Sequence, residues 1–106
     1  MFKRIAVLLA LVLLLSKAFA QDVRVVSLVV PFSSGSAQDI FARLISEPLS
    51  QELHARIAVL NKPGAGGTLG AAFVAQAKPD GQTFLLAASN LHLAGALNKR
   101  LPYQPL

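Results

Sequence analysis

The sequence contains no cysteine and no tryptophan, and only five of its 106 residues are acidic. The absence of cysteine excludes disulfides, thiolate metal sites and a lipid-modified cysteine anchor. The two histidines, His54 and His92, are isolated, and neither belongs to a cluster with metal-ligand spacing. No Gly-x-Ser-x-Gly nucleophile motif is present. We therefore expect the protein to have no metal, no cofactor and no catalytic residues. On this basis we do not expect it to be an enzyme.

The first twenty residues have the three-part layout of a secretory signal peptide. Lys3 and Arg4 give a basic start, residues 5–15 form an unbroken apolar run, and Ala18-Phe19-Ala20 supplies small residues for a signal peptidase. The apolar run is too short to cross a bilayer, which needs about 20 residues. We expect cleavage after Ala20, export to the periplasm of a bacterium, and a soluble mature chain over residues 21–106.

The net charge of +5 is partly due to this leader. Once Lys3, Arg4 and Lys17 are removed, seven basic residues remain against five acidic ones, which gives a net charge of +2. Apart from Lys99-Arg100, the remaining basic residues are scattered along the chain. Nucleic acid is therefore not expected as a partner.

The mature chain alternates strand-like and helix-like segments. Residues 23–30, 56–60 and 83–88 are mostly apolar, and the first of these segments is rich in β-branched side chains, which predicts three strands. Helices are predicted over 37–53, 68–77 and from about 91, and Pro48 is expected to kink or end the first helix near Glu47. This order predicts an α/β fold with a parallel three-stranded sheet flanked by helices.

Parallel strands would bring three strand-to-helix loops, at 31–36, 61–67 and 89–90, to one edge of the sheet. Ligands of open α/β sheets bind at this edge. The second loop reads Asn-Lys-Pro-Gly-Ala-Gly-Gly, so its backbone can come close to a ligand. A helix start favours anions, carboxylates as readily as phosphates. The loops therefore predict a site for a small anion.

Other interpretations of these loops stay open. The glycine loop has Leu69 where a dinucleotide-binding loop has its third glycine, and Gly70 follows one residue late. A nucleotide- or phosphate-binding enzyme fragment is the alternative function, and a tight turn with close helix packing would also explain the glycines. Asp39 could contact a ligand or only stabilise a helix start capped by Ser36. Arg43 is expected to be solvated.

Four motifs follow the leader in series. They are Val-Val-Pro-Phe-Ser-Ser-Gly-Ser-Ala-Gln-Asp at 29–39, Asn-Lys-Pro-Gly-Ala-Gly-Gly at 61–67, Lys-Pro-Asp-Gly at 78–81 and Leu-Pro-Tyr-Gln-Pro-Leu at 101–106. This series resembles the extracytoplasmic solute-binding receptors of the tripartite tricarboxylate transporter family, often called Bug receptors. The resemblance implies a periplasmic-binding-protein-like fold, in which two α/β lobes close on a small organic anion, a di- or tricarboxylate or an amino acid. It also implies delivery of that anion to membrane permease subunits.

By this resemblance, residues 21–106 are the N-terminal part of the first lobe, and the second lobe is absent. We expect such a partial lobe to expose sheet edges and to be prone to aggregation, and a non-functional truncated receptor is a further alternative. The chain departs from the family pattern at Gly35-Ser36, where paired glycines are usual, and at Gln104, where an acid is usual.

The resemblance also implies that ligand contacts come from all three loops. These contacts are Phe32, Ser33, Ser34, Gly35, Ser36, Asp39, Ala65, Gly66, Gly67, Thr68, Ser89 and Asn90.

Overall fold

The computed structural model describes residues 1–17, 22–97 and 100–104. A short 3-10 turn at Ala65–Gly67 immediately precedes the third helix. The elements, in chain order, are α1 (Phe2–Lys17), β1 (Val25–Val30), α2 (Ala37–Leu53), β2 (Arg56–Asn61), α3 (Thr68–Ala75), β3 (Thr83–Leu85) and α4 (Asn90–Leu97). The predicted alternation of strands and helices is confirmed.

The three strands form one parallel sheet in the order β2–β1–β3. β1 pairs with β2 along its whole length, from Val25 opposite Arg56 to Val30 opposite Asn61, and with β3 over residues 27–29. The connection from β2 to β3 passes back over β1, so the strand order reverses beside β1. This reversal is where open α/β sheets bind ligands, at the carboxyl ends of the strands.

The core is centred on β1, which has neighbours on both sides and helices on both faces. Leu28 and Val30 pack with Ala42 of α2 on one face, and Val29 is fully buried on the other. Fully burying such a side chain contributes about 1.5–3 kcal/mol. β1 therefore fixes the geometry of the sheet. The sheet in turn fixes the positions of the loops that follow its three strands.

Three elements are shorter than the sequence predicts. β1 begins at Val25 rather than at residue 23, because its pairing with β2 begins there and Val23 is exposed. β3 ends at Leu85, where its pairing with β1 ends, although the Leu86 amide still donates to the Val29 carbonyl at 2.9 Å. α3 ends at Ala75 instead of near residue 77.

The prediction that Pro48 kinks or ends α2 near Glu47 is wrong about the end of the helix, which continues to Leu53. Proline removes one backbone donor, but Pro48 and Leu44, the residue whose carbonyl loses that donor, are both exposed. Water can therefore satisfy the carbonyl. On the inner face Ile45 packs against the core, and this tertiary packing carries the helix past the proline.

The predicted leader forms α1, and its apolar side chains are exposed over the first twelve residues. The predicted cleavage site after Ala20 lies outside the described residues, as do the last two residues of the 101–106 motif. Among the described ranges, no helix combines the length and the apolar character needed to cross a membrane.

Candidate ligand-binding site

The loops after the three strands meet at the carboxyl edge of the sheet; we call them the first loop (31–36), the second loop (61–67) and the third loop (86–90). Asn61 Nδ2 donates to the carbonyl of Phe32 at 3.1 Å and so joins the second loop to the first. Asn90 Nδ2 donates to the carbonyl of Gly66 at 2.7 Å and joins the third loop to the second. The predicted convergence of the loops is thus present.

Two glycines of the second loop and α3 serve close packing. A Cβ on Gly70 would lie 2.6 Å from Pro31 Cβ and 3.0 Å from the Lys62 carbonyl, so only glycine lets α3 approach the first loop this closely. Gly67 is buried, with a φ of 94°, and a Cβ there would meet Leu91 at 3.3 Å. The packing interpretation of these glycines therefore applies at Gly67 and Gly70.

Other residues of the second loop face outward. Ala65 and Gly66 are exposed, with φ angles of 49° and 65°. Within the described part of the chain, their N–H groups donate to no protein atom. Thr68 Oγ1 donates to the Ala65 carbonyl at 2.8 Å, which holds the turn before α3. Two adjacent backbone donors are thus available at the start of a helix, an arrangement that favours an anion.

Asp39 lies in the first turn of α2 and is only 2% exposed. Its carboxylate accepts hydrogen bonds from the Gly35 amide (2.9 Å), from Arg43 Nε (3.1 Å) and from Asn61 Nδ2 (2.9 Å). The hydrogen bond from Arg43, followed by those from Gly35 and Asn61, holds the pKa of Asp39 well below its usual range. The Asp39 amide donates to Ser36 Oγ at 3.2 Å, which confirms the predicted N-cap.

The predicted contact residues differ in exposure. The side chain of Phe32 packs against the core, and Asp39 and Gly67 are buried. The hydroxyls of Ser36 and Thr68 form hydrogen bonds within the protein, to the Asp39 amide and the Ala65 carbonyl. Asn90 is half-buried, and its Oδ1 is buried without a hydrogen-bond partner among the described residues. The exposed members of the set are Ser33, Ser34, Gly35, Ala65, Gly66 and Ser89. A ligand contact from any of the twelve stays a prediction.

Sequence reasoning missed two residues of this edge. Arg43 is not simply solvated: its side chain is 54% exposed, but its Nε is paired with Asp39. The spacing of four residues on one helix face would have indicated this pair. Asn61 was noted only as the start of a motif, yet it touches both the first loop and α2. Its position at the carboxyl end of a parallel strand was the available signal.

Lys62 lies within the second loop, but its Nζ sits over the ring of Phe73 of α3, 4.7 Å from the centroid.

A separate pocket of about 370 Å³ lies between α3, β3, α4 and Tyr103. Its lining is mostly apolar, with Ala71, Val74 and Leu85 among its residues. No group of His, Cys, Asp or Glu within the ranges described is arranged to hold a metal ion.

Comparison with known proteins identifies the family. A family model described as the tripartite tricarboxylate transporter family receptor matches residues 41–106. The chain belongs to this family. It is 45% identical over 98 residues to a UPF0065 protein of Bordetella bronchiseptica, a match covering 92% of this chain and 29% of that protein. It is 35% identical over 85 residues to the protein BugT of Bordetella pertussis, covering 78% of this chain and 26% of BugT.

Solved structures of the family share the fold. MatC from Rhodopseudomonas palustris, solved with bound malate, is 42% identical with a TM-score of 0.72, over 79% of this chain and 29% of MatC. An R. palustris protein solved with adipate is 38% identical with a TM-score of 0.62, over 67% of this chain and 24% of that one. The periplasmic-binding-protein-like fold is thus confirmed as a partial domain, and this chain spans under a third of these relatives' length.

Proposed function

We propose that residues 21–106 are the N-terminal part of the first lobe of a periplasmic solute-binding receptor, exported by a signal peptide over residues 1–20. The receptor is not an enzyme. It binds a small carboxylate at the carboxyl edge of the sheet and delivers it to the permease subunits of a tripartite tricarboxylate-type membrane transporter. The observation that carries this proposal is the joining of three strand-to-helix loops at one edge, with free backbone donors at Ala65 and Gly66.

The chemistry of this edge suits a carboxylate. Backbone N–H groups at a helix start bind anions without a cationic side chain, and a hydrogen bond to a charged acceptor is stronger than a neutral one. The exposed hydroxyls of Ser33, Ser34 and Ser89 add further donors around the same edge. The three loops contain no acidic residue, and the carboxylate of Asp39, which lies beside them in α2, is already paired with Arg43. The malate and adipate in related structures support a dicarboxylate as the ligand.

A calorimetric titration of the purified chain with malate and adipate tests the proposal, with ATP and inorganic phosphate as competing ligand classes. We expect dicarboxylates to bind and Ser34→Ala to weaken malate binding at least tenfold, since a hydrogen bond to a charged group contributes about 1.5–3 kcal/mol. Ser50→Ala is the matched control, because it removes a hydroxyl that bonds the Ala55 carbonyl at the opposite edge of the sheet. Absence of dicarboxylate binding, or tighter binding of ATP or phosphate, would contradict the proposal.

A further inference from the structure

Asn61 connects parts of the chain that are distant in sequence. It is the last residue of β2, and its Nδ2 lies 3.1 Å from the Phe32 carbonyl and 2.9 Å from Asp39 Oδ1. Its Oδ1 accepts from Arg43 Nη2 at 3.4 Å. One amide side chain therefore bonds the first loop and two residues of α2, and it does so from the strand that leads into the second loop.

Asp39 and Arg43 complete this connection. Arg43 Nε lies within 3.2 Å of both carboxylate oxygens, and the Gly35 amide donates to Oδ2 at 2.9 Å. Gly35 has a φ of 85°, which places its N–H toward Asp39 at little conformational cost only because the residue is glycine. The hydrogen bond from the Gly35 amide to Asp39 thus fixes the backbone of the first loop at its glycine.

The same contacts answer an electrostatic difficulty. A carboxylate beside the binding edge would repel a carboxylate ligand, and this repulsion is strong where water is scarce. Asp39 is buried, and its carboxylate accepts hydrogen bonds from three donors, one of them the guanidinium of Arg43. Its charge is compensated within the protein, so the exposed donors of the loops remain available to a second anion.

We propose that Asn61, Asp39 and Arg43 form a positioning unit that holds the first loop against the second and cancels the charge of Asp39 beside the ligand. In this inference, which rests on the proposed function, Asp39 is a positioning residue and not a ligand contact. The unit sets the distance between the donors of the first loop and those of Ala65 and Gly66. It therefore helps to determine which dicarboxylate length the edge accepts.

The test uses the full chain, two variants and two readouts. Amide hydrogen exchange of Gly35, measured by NMR without ligand, reports the hydrogen bond to Asp39. Malate affinity, measured by calorimetry, reports the binding edge. We expect Asn61→Ala to accelerate Gly35 exchange at least tenfold and to weaken malate binding at least tenfold. Arg43→Ala should do the same, and since this side chain is half exposed its removal leaves the core intact.

Controls separate positioning from general stability. Arg43→Lys restores the positive charge, so it should recover part of the malate affinity lost in Arg43→Ala. Ser50→Ala lowers stability at the opposite edge and should change neither readout. Affinity for malate relative to adipate should also shift in Asn61→Ala, which a purely stabilising residue would not cause.

Two results would overturn the inference. Unchanged Gly35 exchange in both Asn61→Ala and Arg43→Ala would show that the contacts do not hold the first loop. Faster exchange with unchanged malate affinity would show that the contacts do not serve binding. If the wild-type chain binds neither malate nor adipate, the proposed function fails, whereas the exchange readout needs no ligand and still decides whether the unit positions the loop.

Discussion

Asp39 has a role that depends on its neighbours more than on its own type. In isolation an acid in the first turn of a helix interacts favourably with the helix dipole, and the sequence supports that much. The cap by Ser36 could be predicted as well, because capping residues act over three positions. The hydrogen bond between Asp39 and Asn61 could not be predicted from the sequence. It requires the strand register that places Asn61 opposite Val30, and this register is set by the packing of the whole sheet.

We expect Asp39 to make the stability of the chain depend on pH. The pKa of Asp39 is lowered in the folded chain, chiefly by the hydrogen bond from Arg43, so the folded state binds a proton at Asp39 less readily than the unfolded state does. The resulting stability is present above the ordinary carboxyl value of about 3.9 and is lost as the pH falls from there through the folded pKa. Urea unfolding between pH 6 and pH 2 should therefore show a steeper loss for the wild type than for Asp39→Asn.

The control for this pH dependence is Asp22→Asn, which removes an equal charge at an exposed position. This variant should keep the wild-type slope at acid pH. Equal slopes for the wild type and Asp39→Asn would show that the contacts of Asp39 contribute nothing to acid stability.

At the scale of elements, α2 shows where local rules give way to packing. The spacing of Ile45 and Leu49 predicts a helix face, and this face does lie toward the sheet. The usual effect of proline on a helix predicts that α2 ends near Glu47. That prediction considers the backbone alone and not the packing of the side chains. The helix continues because its inner face is half-buried on both sides of Pro48, at Ile45 and Leu49, while the lost hydrogen bond lies on the solvent side. The cost of Pro48 is therefore local.

This explanation predicts that Pro48→Ala stabilises the chain. Alanine restores a backbone donor within an exposed helical turn, where proline costs about 3 kcal/mol relative to alanine. Part of that gain is offset because proline also restricts the unfolded chain, by about 1 kcal/mol. We expect the free energy of unfolding in urea to rise by about 1–3 kcal/mol. Glu52→Ala, an exposed change in the same helix, should stay within about 0.5 kcal/mol, and a destabilised Pro48→Ala would refute the explanation.

At the scale of the whole molecule, the alternation of strands and helices was enough to predict the edge at which the loops meet. Parallel strands with right-handed crossovers leave little choice, and β1 takes the centre of the sheet because its apolar run is buried on both faces. What alternation could not predict is the division of the loops into outward and inward residues. Gly67 and Gly70 turn inward because Pro31 and Leu91 come close to them, and such contacts exist only once the sheet has formed.

The predicted leader, residues 1–20, is expected to promote association of the chain. The apolar side chains of α1 lie exposed, including Phe2, Val7 and Val12, and exposed apolar surface of this extent promotes association. A chain without residues 1–20 should therefore keep the urea midpoint of the full chain and sediment as a smaller species at equal concentration. Val7→Lys with Val12→Lys, which keeps the length and lowers the apolar surface, should shift sedimentation in the same direction. A drop of more than about 1 kcal/mol in the free energy of unfolding on removal of the leader would mean that α1 belongs to the folded domain.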